Sequence, residues 1–187
     1  MPPHPGLSQI LFNQALTDHN MSRLYLSGNS QAAAIAPERT NVATLSVYDG
    51  ANQRRYFQKA FSTNSAFNTT LRRNGGWAPS IGSEGQNTVG VAAGNICANH
   101  TEPKLFHDWV ATFRAGPAAG GGGTYSPALF VLTSERDCCQ SCVNWTVMAL
   151  NAAVALCSLA GEDITFIVVE TNAPKVRFAH ELSSHYS

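Results

Sequence analysis

The residues of this chain whose types and spacing can do chemistry are His100, Glu102, Cys139 and Cys142. One imidazole and two thiols three residues apart can close three corners of a tetrahedral zinc site, which leaves the fourth corner to a water. Zinc lowers the pKa of such a water towards about 7, so a hydroxide nucleophile is available at neutral pH. Glu102, two residues beyond His100, stands where a carboxylate can take that proton, pass it to a ring nitrogen and later protonate a departing amine. The chemistry predicted is hydrolysis by a metal-activated water, with Glu102 carrying its protons.

Each half of this set is weak alone. An isolated pair of cysteines with two residues between them also suits a redox pair, half of a structural zinc site or plain buried thiols. A closed structural site needs a fourth ligand, and Cys138, Cys97 and His107 are the candidates. Cys138 directly adjoins Cys139 and could exchange with it, although Cys139 and Cys142 are the pair with the two-residue gap. Cys157 lies in an apolar stretch and Cys97 in a Gly-rich one, which suits ordinary thiols better than ligands.

The elements that must position these residues follow from the pattern. Leu105, Phe106, Trp109, Val110 and Phe113 recur at helical spacing, which predicts a helix over 100–114 with Pro103 in its first turn. On a regular helix His100 and Glu102 would lie about 200° apart, so His100 is expected at or just before the first turn. A second helix is expected to begin at Asp137 or Cys138, with Cys142, Trp145, Met148, Ala149, Ala152, Ala153 and Leu156 on one stripe. Cys139 and Cys142 then share its first turn, where the helix dipole favours thiolates.

Between and around these helices the pattern is that of strands. Residues 40–48 and 54–61 alternate about the turn signal Asp49-Gly50 and read as a hairpin. Residues 128–132 and 164–170 are short apolar runs suited to the middle of a sheet, joined as a right-handed parallel crossover. After Asn172-Ala173-Pro174, the alternation of Val176, Phe178, His180 and Leu182 predicts a last antiparallel strand, with a short terminal helix as the alternative. At the other end, Leu7, Ile10, Leu11 and Ala15 predict a first helix that stops at Asp18-His19-Asn20, followed by a loop over 27–39. The run of four glycines within 116–123 reads as a connector, since no phosphate-loop Lys-Ser or Lys-Thr follows it.

The 187 residues fit one domain, and 44% apolar with 13% charged residues is a globular composition. Twelve basic side chains balance twelve acidic ones, so net charge points to no partner and nucleic-acid binding must rest on a local patch. Arg54, Arg55 and Lys59 on the second strand are the candidates, set against an ordinary solvated strand face. Trp77 after Gly75-Gly76 is either a stacking platform for a base or, the favoured reading, a plug in the core. Five cysteines, an odd number with three of them in five positions, fit thiols used for metal in a reducing compartment. The N-terminal Met1-Pro2-Pro3-His4-Pro5-Gly6 lacks the basic and apolar regions of a signal peptide, and the apolar run at 147–160 is too short to span a bilayer.

His100-Thr101-Glu102-Pro103-Lys104-Leu105 and Ser134-Glu135-Arg136-Asp137-Cys138-Cys139-Gln140-Ser141-Cys142 resemble the cytidine deaminase-like superfamily, and within it the deaminase toxin domains of bacterial polymorphic toxin systems. Cys138 stands where the family has proline. The resemblance implies His100, Cys139 and Cys142 as zinc ligands and Glu102 as the proton shuttle. It also implies a substrate-contacting Asn ahead of the His-bearing helix, for which Asn64, Asn68, Asn74, Asn87, Asn95 and Asn99 are all candidates.

The expectation is therefore an α/β deaminase fold: a mixed five-stranded sheet with both zinc-bearing helices on one face and a hairpin of the last two strands. An N-terminal extension over 1–39 would pack on a core over 40–187. The expected activity is cytosine deamination in nucleic acid, with single-stranded DNA favoured because a base stacked in a duplex must first be flipped, and with duplex DNA or RNA as other substrates. A free-nucleoside deaminase and a non-enzymatic module with a structural zinc are the alternatives. The toxin resemblance implies action in the cytoplasm of a target cell after delivery and neutralisation by a cognate immunity protein; no membrane partner is expected.

Overall fold

The computed structural model describes residues 7–28, 40–62, 76–78, 100–115, 125–136, 142, 164–172 and 175–178. The chain runs α1 (Gln9–Gly28), β1 (Val42–Asp49), β2 (Arg54–Phe61), α2 (Thr101–Ala115), β3 (Pro127–Ser134), β4 (Thr165–Glu170) and β5 (Lys175–Phe178). This is an α/β fold with a mixed sheet in the order β2-β1-β3-β4-β5. Only the β3/β4 pair is parallel; β1 pairs antiparallel with β2 and β3, and β5 antiparallel with β4.

β1 is buried along nearly its whole length because a helix covers each face of the sheet. Ala43, Leu45 and Val47 join Phe130, Leu132, Phe166 and Val168 beneath Leu105, Phe106, Trp109 and Val110 of α2. The Trp109 ring meets Phe130 edge-on at 4.9 Å, the favoured geometry for two aromatic quadrupoles. On the opposite face Tyr48, Leu129, Val131, Ile167 and Val169 pack against Leu7 and, on α1, Leu11, Phe12 and Ala15. α2 is also tied to the edge strand by polar contacts: Tyr56 Oη donates to Asp108 Oδ2 at 2.7 Å and Gln58 Nε2 donates to the same oxygen at 3.3 Å. Burial and the Asp108 charge push the Tyr56 hydroxyl well above its ordinary pKa, so it stays a donor.

The β1/β2 hairpin closes through Asp49, whose Oδ1 accepts from the backbone N–H of Ala51 at 2.9 Å and of Gln53 at 3.0 Å. The left-handed residue of the loop is Asn52 (φ 58°), a residue type that tolerates that region, and not Gly50.

The first helix differs from expectation. It does not stop at Asp18-His19-Asn20 but continues to Gly28. Ser8 caps its start, with Oγ accepting from Leu11 N at 3.3 Å. Two residues of the expected stop make tertiary contacts instead: Asp18 pairs with Arg54, and His19, buried in line with Ser22 and Leu26, reaches Val42 O. Polar chemistry in a helix interior marks an end only when nothing across the fold needs it.

No helix among the described residues is long and apolar enough to cross a membrane. The connector at 116–123, nearly all of the helix expected from Asp137, and the chain beyond Phe178 lie outside the described residues.

Candidate metal centre

β1 begins, and β3 and β4 end, at the same edge of the sheet, because Ala43 lies opposite Ser134 and Ser134 opposite Glu170. The carboxyl ends of parallel strands are where open α/β sheets bind ligands. α2 starts there too, with His100 immediately before its first residue and Glu102 in its first turn, where the positive end of the helix dipole favours a carboxylate. Pro103 is accommodated because the first-turn N–H groups have no partner within the helix.

Against this helix start lies Cys142, fully buried and helical. Its Sγ is 3.1 Å from His100 Nδ1, across 42 positions of sequence. The ligand atoms of His100, Glu102 and Cys142 all lie within 4.8 Å of one another, so this group can hold a metal ion. An imidazole nitrogen beside a cysteine sulfur is a donor set suited to zinc. Cys139, Cys138, Cys97 and Cys157 lie outside the described residues, as do Asn64, Asn68, Asn74, Asn87, Asn95 and Asn99.

The carboxylate of Glu102 is almost fully buried and does not point loosely into the site. Its Oε2 accepts a hydrogen bond from Thr101 Oγ1 at 3.0 Å. Thr101 Oγ1 in turn accepts from Asn41 Nδ2 at 2.9 Å, and the same amide nitrogen lies 3.1 Å from Ser134 Oγ. Asn41, immediately before β1, is thus the asparagine that reaches this site among the described residues. It stands some sixty positions before α2, much farther than the asparagines considered from sequence, and only strand pairing brings it there.

Two further residues are notable. Lys104 is fully buried, its Nζ donating to Phe61 O at 2.8 Å. Burial lowers its pKa from the ordinary 10.5 to about 7, and the nearby Glu102 charge offsets only part of that. Glu135 closes the other side: Oε2 accepts from Val42 N at 3.1 Å and Oε1 lies 2.9 Å from Arg23 Nε of α1. Arg23 Nη1 also donates to Thr40 O at 3.0 Å, and His19 Nε2 reaches Val42 O at 3.2 Å. α1 therefore clamps the backbone on both sides of Asn41. The signal for Glu135 was present in the Ser-Glu-Arg run before the cysteines; for Asn41, Arg23 and His19 nothing local in the sequence pointed to the site.

The proposed nucleic-acid residues sit elsewhere, on the edge strand and its neighbours. Arg54 is ion-paired with Asp18 and stacks over Phe57, 4.9 Å from the ring centroid. Arg55 pairs with Asp49 at 2.6 Å. Lys59 Nζ lies over Tyr25 at 4.7 Å and over Trp77 at 4.9 Å, and burial lowers its pKa. Trp77 is 2% exposed and packs edge-on against Phe61 at 5.1 Å, with Leu26 and Val42 around it. A base cannot stack on a ring so enclosed, and Trp77 fills the core instead of serving as a stacking platform.

Compared with known proteins, the chain matches no family model, no curated protein and no solved structure.

Proposed function

We propose that this chain is a zinc-dependent cytosine deaminase acting on nucleic acid, with single-stranded DNA as its favoured substrate, built on a cytidine deaminase-like fold. The observation that carries the reading is the convergence of His100, Glu102 and Cys142 at one helix mouth, with His100 Nδ1 only 3.1 Å from Cys142 Sγ. A redox pair or a set of plain thiols gives no reason for a buried carboxylate beside them.

In this reading His100, Cys139 and Cys142 hold the metal and Glu102 carries protons. A zinc ion bound there supplies water activation at neutral pH. Glu102 would take the first proton of the attacking water and deliver it to the pyrimidine N3; it would then take the second proton, from the new hydroxyl on the 4-carbon, and pass it to the amine, so that the carbonyl forms and ammonia leaves. Its burial strengthens these contacts, because the low local dielectric weakens competition from water. The setting of a bacterial toxin domain with an immunity partner rests on the sequence resemblance alone.

A second reading, a deaminase of free nucleosides, is favoured by one observation. Arg54 and Arg55 are already paired with Asp18 and Asp49, which leaves them poor phosphate tracks. The deciding experiment incubates the zinc-loaded protein with single-stranded DNA, duplex DNA, RNA and cytidine in parallel, with Glu102→Ala as control. Conversion of cytosine to uracil in one polymer pool that the control lacks supports the first reading. Conversion of cytidine alone supports the second, and no conversion anywhere by folded, zinc-bound protein rejects both.

A further inference from the structure

Glu102 is near enough to His100 and Cys142 to serve as a ligand itself, since the three ligand atoms lie within 4.8 Å of one another. A proton carrier must not do so, because a carboxylate on the metal would fill the corner that water needs. Something other than distance must therefore decide its role.

We propose that Thr101 and Asn41 form a relay that anchors the Glu102 carboxylate to the sheet and holds it off the metal, so that Glu102 serves as proton carrier and not as ligand. This inference rests on the metal-dependent reading above and adds the residues that enforce it. The direction of the relay follows from proton counting. Thr101 Oγ1 has one proton, and a carboxylate offers no donor, so that proton goes to Glu102 Oε2 at 3.0 Å. The hydroxyl then has only lone pairs left for Asn41, which must present Nδ2, the donor, at 2.9 Å. The second N–H of the same amide nitrogen donates to Ser134 Oγ at 3.1 Å, at the end of β3.

All four residues are buried, Thr101 and Ser134 completely. Water therefore does not compete for these bonds, and a missing partner is not replaced by solvent. The anchor comes from Asn41, immediately before β1, and Ser134, at the end of β3, two well-buried strands of the sheet, while Glu102 itself belongs to α2. Thr101 and Asn41 touch no reacting atom; they are positioning residues. Removing the Thr101 hydroxyl leaves Glu102 Oε2 without that donor, so the carboxylate can turn towards a cation held by His100 and Cys142.

The test loads the full chain with cobalt(II), whose absorption reports the number and type of ligands. The variants are Thr101→Val, Thr101→Ser, Glu102→Ala and the double variant Thr101→Val/Glu102→Ala. The relay predicts a Thr101→Val spectrum different from the parent, a Thr101→Ser spectrum like the parent, and a double variant indistinguishable from Glu102→Ala. On a deaminated substrate, kcat of Thr101→Val falls about 10–100-fold, the usual cost of losing a group that orients a metal site, with KM unchanged and restored kcat in Thr101→Ser. A parent-like spectrum for Thr101→Val, or an altered one that persists in the double variant, overturns the proposal. Should Thr101→Val fail to fold, Asn41→Ser carries the same expectation with a smaller spectral change, and a parent-like spectrum there overturns it equally. Parent protein that binds no cobalt ends both the metal reading and the relay. Parent protein that binds cobalt but deaminates nothing ends the functional reading alone, and the spectra still decide the relay.

Discussion

Two regions of this chain suggested function from sequence, the His100/Glu102/Cys142 group and the basic strand with Arg54, Arg55 and Lys59, and the fold treats them in opposite ways. The first brings residues 42 positions apart to within 3.1 Å, with Glu102 and Cys142 buried and His100 half-buried. The second disperses its charges: Arg54 goes to Asp18, Arg55 to Asp49, and Lys59 is held between two aromatic rings. A motif of fixed spacing constrains side-chain types in a way that packing alone seldom requires. A group of like charges is satisfied by any acid within reach, and here acids are within reach.

The sharpest way to break this contrast is at the first region. Replacing Glu102 with Ala is expected to lower deamination about 10²–10⁴-fold, the usual contribution of a positioned acid–base group, with metal content unchanged in a metal assay of the purified variant. Loss of the metal together with activity would instead make Glu102 a ligand. Chelation of the metal is expected to abolish activity and to restore it on adding zinc back.

Lys104 offers a comparison in pH. Its folded pKa of about 7 lies below the ordinary 10.5 of an unfolded chain, so below pH 7 both states carry the proton and the cost of burying the charge is present in full. Between pH 7 and 10.5 the unfolded chain holds a proton that the folded chain has lost, and stability rises with pH across that window. The full span is worth up to about 5 kcal/mol. Denaturation at stepped pH is expected to show this rise in the parent and a flattened profile in Lys104→Met.

Trp77 belongs to the second region by sequence but to the core by packing. Trp77→Ala is expected to cost about 3–5 kcal/mol of stability, as for other large-to-small changes in a close-packed core. Affinity for single-stranded DNA, measured below the midpoint of unfolding, is expected to stay at the parent value. A variant of parent stability with lost DNA affinity would return Trp77 to the interface.

Why some of this was readable from sequence and some was not has a physical basis. The α/β class, the β1/β2 hairpin and α2 follow from apolar periodicity, which reports burial directly: Leu105, Phe106, Trp109 and Val110 are the α2 face that meets the sheet. Helical angles alone put His100 at or just before the first turn, and it stands immediately before Thr101, the first residue of α2. The second half of α1 was missed because its buried face includes His19 and Ser22, residues that periodicity counts as polar. Asn41 was missed for a different reason. Its importance comes from the pairing of Ala43 with Ser134, and the register of two strands 91 positions apart is not a local property of either one.

The smallest expected effect tests the second region most directly. If Arg54 and Arg55 serve mainly as partners of Asp18 and Asp49, then Arg54→Gln and Arg55→Gln each change stability by about 0–1 kcal/mol, the range of partly exposed ion pairs. The double variant would then leave deamination of single-stranded DNA at the parent rate and leave the salt dependence of binding unchanged. A phosphate contact behaves otherwise: each one lost reduces the slope of log affinity against log salt by about 0.7 on a single strand. A shallower slope in the double variant, together with slower deamination of polymer but not of cytidine, would show that substrate phosphate displaces Asp18 and Asp49. The ion pairs would then be the resting state of a binding surface, and the contrast between the two regions would shrink to one of timing.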